Sequence, residues 1–280
     1  MGTSSVDPYR FELNNPQWLQ CFFDNGFVVL KRLVNPSKIK ETLDSFLVEY
    51  NELKQGEWSS LPTENRSALA LCNTIRENHR TRILFDELPR EPNLLDALER
   101  ILGPDISLIN GWEIVVSDPE DSSDVKVKHL HQEMWTGAGI MDVFTWLPLS
   151  EVEEENTMVM LPGSHFHGML PNRNRRLMVE EGIDYGEVVP LTGFDPGDMV
   201  LFHSLILHGT AGIGKNLRVA ISYYFKNTFA ETSTKYHSVG QTPLREGTLN
   251  RISNVLGNDQ YTPLRTYGGR VSNLPAYLNP

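Results

Sequence analysis

Cysteine is scarce in this sequence. Only Cys21 and Cys72 occur in 280 residues, too few for a disulfide framework, and a reducing, cytoplasmic setting is the expectation. Long apolar runs are missing as well: Met199 to Leu207 comes nearest and is interrupted by His203 and Ser204, well short of the roughly 18 residues of a membrane span. The polar opening from Met1 to Tyr9 lacks the basic start and apolar centre of a signal peptide. Positive charge is also in short supply, with 25 Lys and Arg against 36 Asp and Glu, a formal net charge of -11. Nucleic-acid binding depends on clustered cations that neutralise phosphates, and the single short cluster Arg173, Arg175 and Arg176 does not provide them. A soluble protein with neither a nucleic-acid nor a membrane partner is expected. Internal repeats and low-complexity tracts are absent.

What is present is a 40% hydrophobic chain, enough for one large domain with a substantial core. Apolar residues at Ile39, Leu43, Phe46, Leu47, Tyr50 and Leu53 fall at helical spacing, and Asn35-Pro36 supplies a cap and a first-turn proline. A second helix is predicted from about Asn93 to Leu102, stopped by Gly103-Pro104. From Ile106 onward the texture changes to short runs rich in Val, Ile, Phe, Trp and Tyr between turn residues. The clearest strands are Trp112 to Val116, Asp142 to Leu149, Met158 to Leu161, Met199 to Phe202 and Val219 to Phe225. Many short strands with few long helices among them predict a mainly β fold with flanking helices, built on an antiparallel two-sheet barrel or jelly roll. The expected organisation is one domain over 1–280: a helical part to about 105, a β core over about 106–228, and a polar, irregular C-terminal cap over about 229–280. The sequence sets no oligomeric state.

The chemistry concentrates in His129-Leu130-His131-Gln132-Glu133, where His131 and Glu133 stand two positions apart and alternation on a strand would point both to one side. His208, after the strand Met199 to Phe202, is available as a third ligand. Two imidazoles and one carboxylate suit non-haem iron(II), because three adjacent coordination positions stay open. Alone, a His-x-Glu pair is weak in a chain with eight histidines. Ten residues after His208, however, Arg218 opens the run Val219 to Phe225, and a guanidinium there would bind a keto-acid carboxylate through two parallel hydrogen bonds.

With these elements the chain resembles the phytanoyl-CoA dioxygenase family of iron(II)/2-oxoglutarate oxygenases. The likeness runs from Phe22 to about Phe225 and includes a glycine-containing first strand over Phe22 to Leu30, then His131-Gln132-Glu133. It continues through Asn156 leading into Pro162-Gly163-Ser164-His165, Gly197-Asp198, His208-Gly209-Thr210 and Arg218. The resemblance implies a double-stranded β-helix (cupin-like jelly roll), iron(II) at His131, Glu133 and His208, and 2-oxoglutarate anchored by Arg218. It further implies Thr210 and Trp146 as cosubstrate contacts, with O2 as the other reactant and no catalytic side chain beyond the ligands. The family usually carries Asp where this chain has Glu133; halogenating relatives instead place a small residue there, and Glu133 fills that position. The activity so implied is oxidation of a C–H bond by hydroxylation, desaturation or ring formation, with release of succinate and CO2. The substrate expected is a small molecule, a natural-product intermediate of secondary metabolism.

Two other classes use the same residues: a non-catalytic metal- and ligand-binding cupin-like barrel, and a zinc hydrolase. Neither explains Arg218, and a purely structural metal site is normally closed. Other residues have plainer readings. His165 beside a tight turn is expected to be hydrogen-bonded scaffold, and His203 a core residue or one that supports the ligands. Trp135 divides between core and pocket. Glu151, Glu153, Glu154 and Glu155, like the arginine cluster, are expected on solvated loops; an arginine cluster facing the pocket would favour an anionic substrate.

Overall fold

The computed structural model describes residues 7–248 apart from 78, 110–111, 122, 124–126, 179–185 and 231–240. The chain divides into a compact unit ending at Leu244 and a second unit from Arg245 onward, almost all of which lies outside the described residues. The cap expected over 229–280 therefore falls mostly outside them.

A short strand β1 (Arg10–Phe11) precedes helix α1 (Gln17–Asn25), then β2 (Phe27–Leu30) and the long helix α2 (Pro36–Leu53). Helices α3 (Ala68–Glu77), α4 (His79–Glu87) and α5 (Pro92–Leu102) complete the helical part. The two helices predicted from periodicity are α2 and α5. The Asn35 side chain accepts from the Ser37 N–H at 2.9 Å, satisfying a donor the helix cannot use, and Pro36 follows it. The first strand is shorter than expected: Phe22 to Asn25 belong to α1, and the strand begins at Phe27. Gly26 separates the two, with φ 80° and its N–H on the Phe22 carbonyl. A Cβ at Gly26 would lie 2.6 Å from His165 Nδ1, so only glycine fits this helix end.

The β part comprises β3 (Ile106–Ile109), β4 (Glu113–Ser117), β5 (Val143–Pro148), β6 (Met158–Met160), β7 (Asn172–Arg173), β8 (Arg176–Leu177), β9 (Val189–Pro190), β10 (Met199–His203), β11 (His208–Thr210), β12 (Arg218–Asn227) and β13 (Gln241–Arg245). The main sheet runs β1-β2-β10-β5-β12-β3-β13, with β4 also paired to β12. The small sheet is β11-β6-β9, and β7 and β8 form a separate hairpin. Except for the β1/β2 pair, the registered ladders are antiparallel.

Period-two alternation splits the main sheet into two faces. Val28, Leu30, Leu201, Leu147, Ile221, Tyr223 and Phe225 join the helices in one core through residues such as Trp18, Phe46, Phe85 and Leu98. Phe27, Val29, Val200, Phe202, Phe144, Trp146 and Ala220 turn the other way and pack with Met158 and Met160 of the small sheet. Two sheets enclosing an apolar interior, with helices outside the larger one, make the jelly-roll double-stranded β-helix. Among the described residues no helix is long and apolar enough to cross a membrane.

Candidate metal and cosubstrate site

His208 opens β11, where it pairs with Met160 on one side and with His131 on the other. The second pairing is a reciprocal backbone bridge, His131 N–H to the His208 carbonyl at 2.9 Å and His208 N–H to the His131 carbonyl at 3.1 Å. The strap carrying His131 lies so close that a Cβ on Gly209 would sit 2.8 Å from the Lys128 carbonyl oxygen; glycine is required there by approach, not by φ.

Glu133 reaches the site differently from the strand alternation expected. It opens a 3-10 turn, Glu133–Thr136, that ends at Gly137 with φ 97°. Gln132, fully buried between the two ligands, holds this turn in place. Its amide nitrogen donates to the Leu205 and Gly168 carbonyls at 2.6 and 2.9 Å, and its oxygen accepts from the Leu170 N–H at 2.8 Å. Three bonds to three loops fix the register of the residues on either side.

One ligand atom from each of His131, Glu133 and His208 lies within 4.8 Å of the others, the one such three-residue group among the described residues. Glu133 Oε1 is 3.6 Å from His131 Nε2 and 3.3 Å from His208 Nε2. Each ring has its Nδ1 beside a backbone carbonyl, His131 at 2.8 Å from His129 O and His208 at 3.1 Å from Ile206 O. A carbonyl only accepts, so Nδ1 carries the proton, and both Nε2 lone pairs face the carboxylate. Burial works to raise the Glu133 carboxyl's pKa, but the two facing imidazoles, which would donate to it and offset its charge whenever they take up a proton, hold it well below the usual range. Burial, then the His131 ring, lowers His208 against the opposing pull of Glu133, which keeps it neutral and able to coordinate. The donor set fits a divalent transition metal.

The cleft beside these residues is lined by Val115, Trp146, Met158, Phe202, Thr210, Arg218 and Ser222, with Glu113 and Lys128 among the other lining residues. Every residue proposed for the site from sequence is thus at one cleft. Arg218 shares the strand face of Ala220 and Ser222, which period two turns toward Trp146. It is only 2% exposed. One terminal nitrogen donates to the Asn156 carbonyl, the guanidinium stands 5.6 Å from the centre of the Trp146 ring, and Nε has no partner. Among the described residues no carboxylate lies within ion-pair reach of it, and burial alone pulls its pKa down to about 10. A buried, uncompensated cation beside a metal-competent triad is a fit for an anionic cosubstrate.

Some supporting residues carried weak sequence signals. Glu153 lies on a solvated loop, as expected, but its carboxylate also accepts from the Lys215 and Asn216 N–H groups at 2.7 and 3.2 Å and from the Asn216 side chain at 2.6 Å. Together with the Asn156 side chain it closes a capping box that aims the Asn156 carbonyl at Arg218. Glu113, Lys128 and Ser222 were not anticipated; the Lys128–Glu113 ion pair at 2.7 Å spans two lining segments. His165 and His203 stay outside the triad. His165 Nε2 bonds the Phe23 carbonyl at 3.0 Å, and His203 Nδ1 accepts from the Leu205 N–H at 3.0 Å.

Comparison with known proteins matches this architecture. Residues 22–216 match the phytanoyl-CoA dioxygenase (PhyH) family model, ending two positions before Arg218. The peroxisomal phytanoyl-CoA dioxygenase of Mus musculus is 24% identical over 258 residues, covering 79% of this chain and 73% of the mouse protein. A probable phytanoyl-CoA dioxygenase of Caenorhabditis elegans is 25% identical over 163 residues, covering 52% and 51%. Among solved structures, the apo non-heme monooxygenase ThoJ superposes with a TM-score of 0.63 at 19% identity, over 81% of this chain and 83% of that one. The epimerase SnoN, solved with Fe3+, alpha ketoglutarate and nogalamycin RO, gives 0.59 at 16% identity, over 81% and 92%. The chain belongs to the phytanoyl-CoA dioxygenase family and is a 2-oxoglutarate-dependent non-haem iron dioxygenase by that membership.

Proposed function

We propose that the chain oxidises a C–H bond of a small-molecule natural-product intermediate, with His131, Glu133 and His208 holding iron(II) and Arg218 holding 2-oxoglutarate. The observation that carries this reading is Arg218, a buried cation with no carboxylate partner among the described residues, in the same cleft as two bare imidazole nitrogens and a carboxylate. Iron and cosubstrate together would supply the oxidising power, by coupling O2 to decarboxylation of 2-oxoglutarate to succinate and CO2.

The chain's own residues do the rest. Gln132 and the His131–His208 bridge set the positions of the ligands before any metal arrives. Arg218 neutralises and orients the distal carboxylate, with Asn156 fixing the angle of the guanidinium. Trp146 covers that guanidinium from one side, and Thr210, two residues beyond His208 on β11, offers a hydroxyl to the same carboxylate. Met158, Phe202 and Val115 exclude water from the cleft. A natural-product substrate is supported by solved relatives described as a monooxygenase, an epimerase and a carbocyclase, two of them tied to nogalamycin.

The deciding experiment is anaerobic titration of metal-free protein with iron(II) and 2-oxoglutarate, followed by the visible charge-transfer absorption of the chelate. Wild type is expected to develop the band, His208→Ala to lose it, and Arg218→Ala to need far more 2-oxoglutarate. Metal binding without the band in wild type would overturn the oxygenase reading in favour of a binding barrel or a zinc hydrolase.

A further inference from the structure

The arginine cluster noted in the sequence occupies the β7–β8 hairpin, and three features of it run against stability. Arg173 and Arg176 are direct cross-strand partners, so two like charges face each other. The two-residue turn between them, Asn174-Arg175, has φ 54° and 59°, the left-handed pair of a type I′ turn. Glycine is the favoured residue at the second of these positions, and Arg175 stands there with a strained backbone. All three arginines are exposed, and none makes an ion pair among the described residues, in a chain that carries a net charge of -11.

The base of the hairpin, by contrast, is firmly built and tied to the candidate site. Leu170 and Leu177 pack with Trp135, Leu161 and Leu207, the last of these next to His208 in sequence. Trp135, within the turn that begins at Glu133, donates through its indole N–H to the Leu170 carbonyl at 2.9 Å. Gln132 bonds both Gly168 and Leu170, and the Met178 N–H closes the stem on the Pro171 carbonyl at 3.0 Å. A rigid stem fastened next to the proposed ligands thus carries a strained, triply cationic tip that has no ion pair among the described residues. Local strain that persists on a well-anchored element points to a ligand.

We propose that this hairpin is an anion-binding finger that holds an oxyanion group, phosphate or carboxylate, on the substrate at a point remote from the carbon oxidised. It rests on the oxygenase reading for the word substrate, and on the hairpin alone for the anion. Guanidinium forks match both oxyanions in geometry, and three on one turn suit a multiply charged group.

The test is calorimetric titration of the full-length, iron(II)- and 2-oxoglutarate-loaded protein, kept anaerobic, with inorganic pyrophosphate and separately with citrate. Saturating 2-oxoglutarate keeps Arg218 occupied. Wild type is expected to bind at least one probe, more weakly as salt rises, and the Arg173→Gln/Arg175→Gln/Arg176→Gln variant to bind it at least ~10-fold more weakly. Pyrophosphate alone would identify a phosphate-bearing substrate, citrate alone a carboxylate, and both a site that reads charge. The charge-transfer band, read before any probe is added because both probes chelate iron(II), should be unchanged by the triple substitution. Arg175→Gly separates folding from binding: relieving the left-handed strain should raise the melting midpoint by about 2 °C while still weakening the probe. Equal probe affinity in wild type and triple variant, or no binding by wild type, overturns the finger. Absence of the band from wild type before any probe is added would overturn the oxygenase reading instead.

Discussion

The same strands build both faces of the main sheet, yet the faces differ in what they tolerate. Toward the helices, β2, β10, β5 and β12 present Val28, Leu201, Leu147, Ile221 and Phe225 in a continuous apolar core. Toward the small sheet the apolar surface is broken by Ser222, by Arg218 and by the triad anchored at its far wall. Arg218 and Val219 are neighbours in sequence on opposite faces, one a buried cation with no countercharge among the described residues, the other part of the core. The comparison teaches a division of labour: one face supplies the burial free energy that lets the other hold groups which cost stability.

The sharpest way to break that comparison is a substitution that abolishes activity while leaving the fold intact. His208→Ala should lower turnover by more than ~100-fold, beyond the usual cost of losing a residue that merely supports a ligand. The melting temperature of the metal-free protein should stay near that of wild type. Turnover is read as succinate formed. A large stability loss in the metal-free protein would mean that the ligand face also carries the fold.

Phe225→Ala is the converse. Phe225 is fully buried between β12 and the helices, so its removal leaves a cavity and should cost about 3–5 kcal/mol. The affinity of the remaining folded protein for 2-oxoglutarate should be unchanged. Chemical denaturation and the charge-transfer titration, on the same variant, check both halves.

Arg218→Met lies between the two. In the absence of an anion the wild-type guanidinium is charged at neutral pH and has no partner carboxylate among the described residues, so the substitution should stabilise the empty protein by on the order of 1–3 kcal/mol. The same change should weaken 2-oxoglutarate by ~10- to 100-fold, the value of a charged hydrogen bond. Burial lowers the pKa of Arg218 to about 10, and the unfolded chain binds more protons above that value, so the cost is fully present at every pH below about 10. A variant that is both less stable and unchanged in affinity would reassign Arg218 to the core.

How much of this was legible beforehand follows from where the signal is local. Helix α2 announces itself through Asn35-Pro36 and six correctly spaced apolar residues, and β12 through an unbroken Val-to-Phe run. Helix α1 does not: Phe22 and Phe23 are as good in a strand, and only Trp18, Cys21 and Phe22 mark its buried side. Helix α3 is no plainer in the sequence: of its buried residues Ala68, Leu71, Cys72 and Ile75, two are small and give little periodic signal. The triad could be named from residue types and order, but the turn that delivers Glu133 could not. That turn depends on Gln132 meeting carbonyls 36 and 73 residues away. Glu153 is likewise a loop acid by composition and a cap by contact with a segment more than sixty residues on.

The smallest expected effect is a pH dependence on the helix-facing side. His203 ends β10, and burial, with the nearby His165 ring adding to it, lowers its pKa to about 4. Its Nδ1 accepts the Leu205 N–H, so a proton placed there removes a hydrogen bond as well as charging a partly buried ring. The unfolded chain takes up that proton near pH 6.5 and the folded chain only near pH 4, so stability is full above pH 6.5, falls between those values and levels off below them. The loss is on the order of 2 kcal/mol, less than the full shift implies because the ring is partly solvated. His203→Gln should flatten that window of the melting curve against pH, with the charge-transfer band at neutral pH unchanged. A band that weakens in this variant would show that the end of β10, which leads through Leu205 and Gln132 to Glu133, couples the two faces after all.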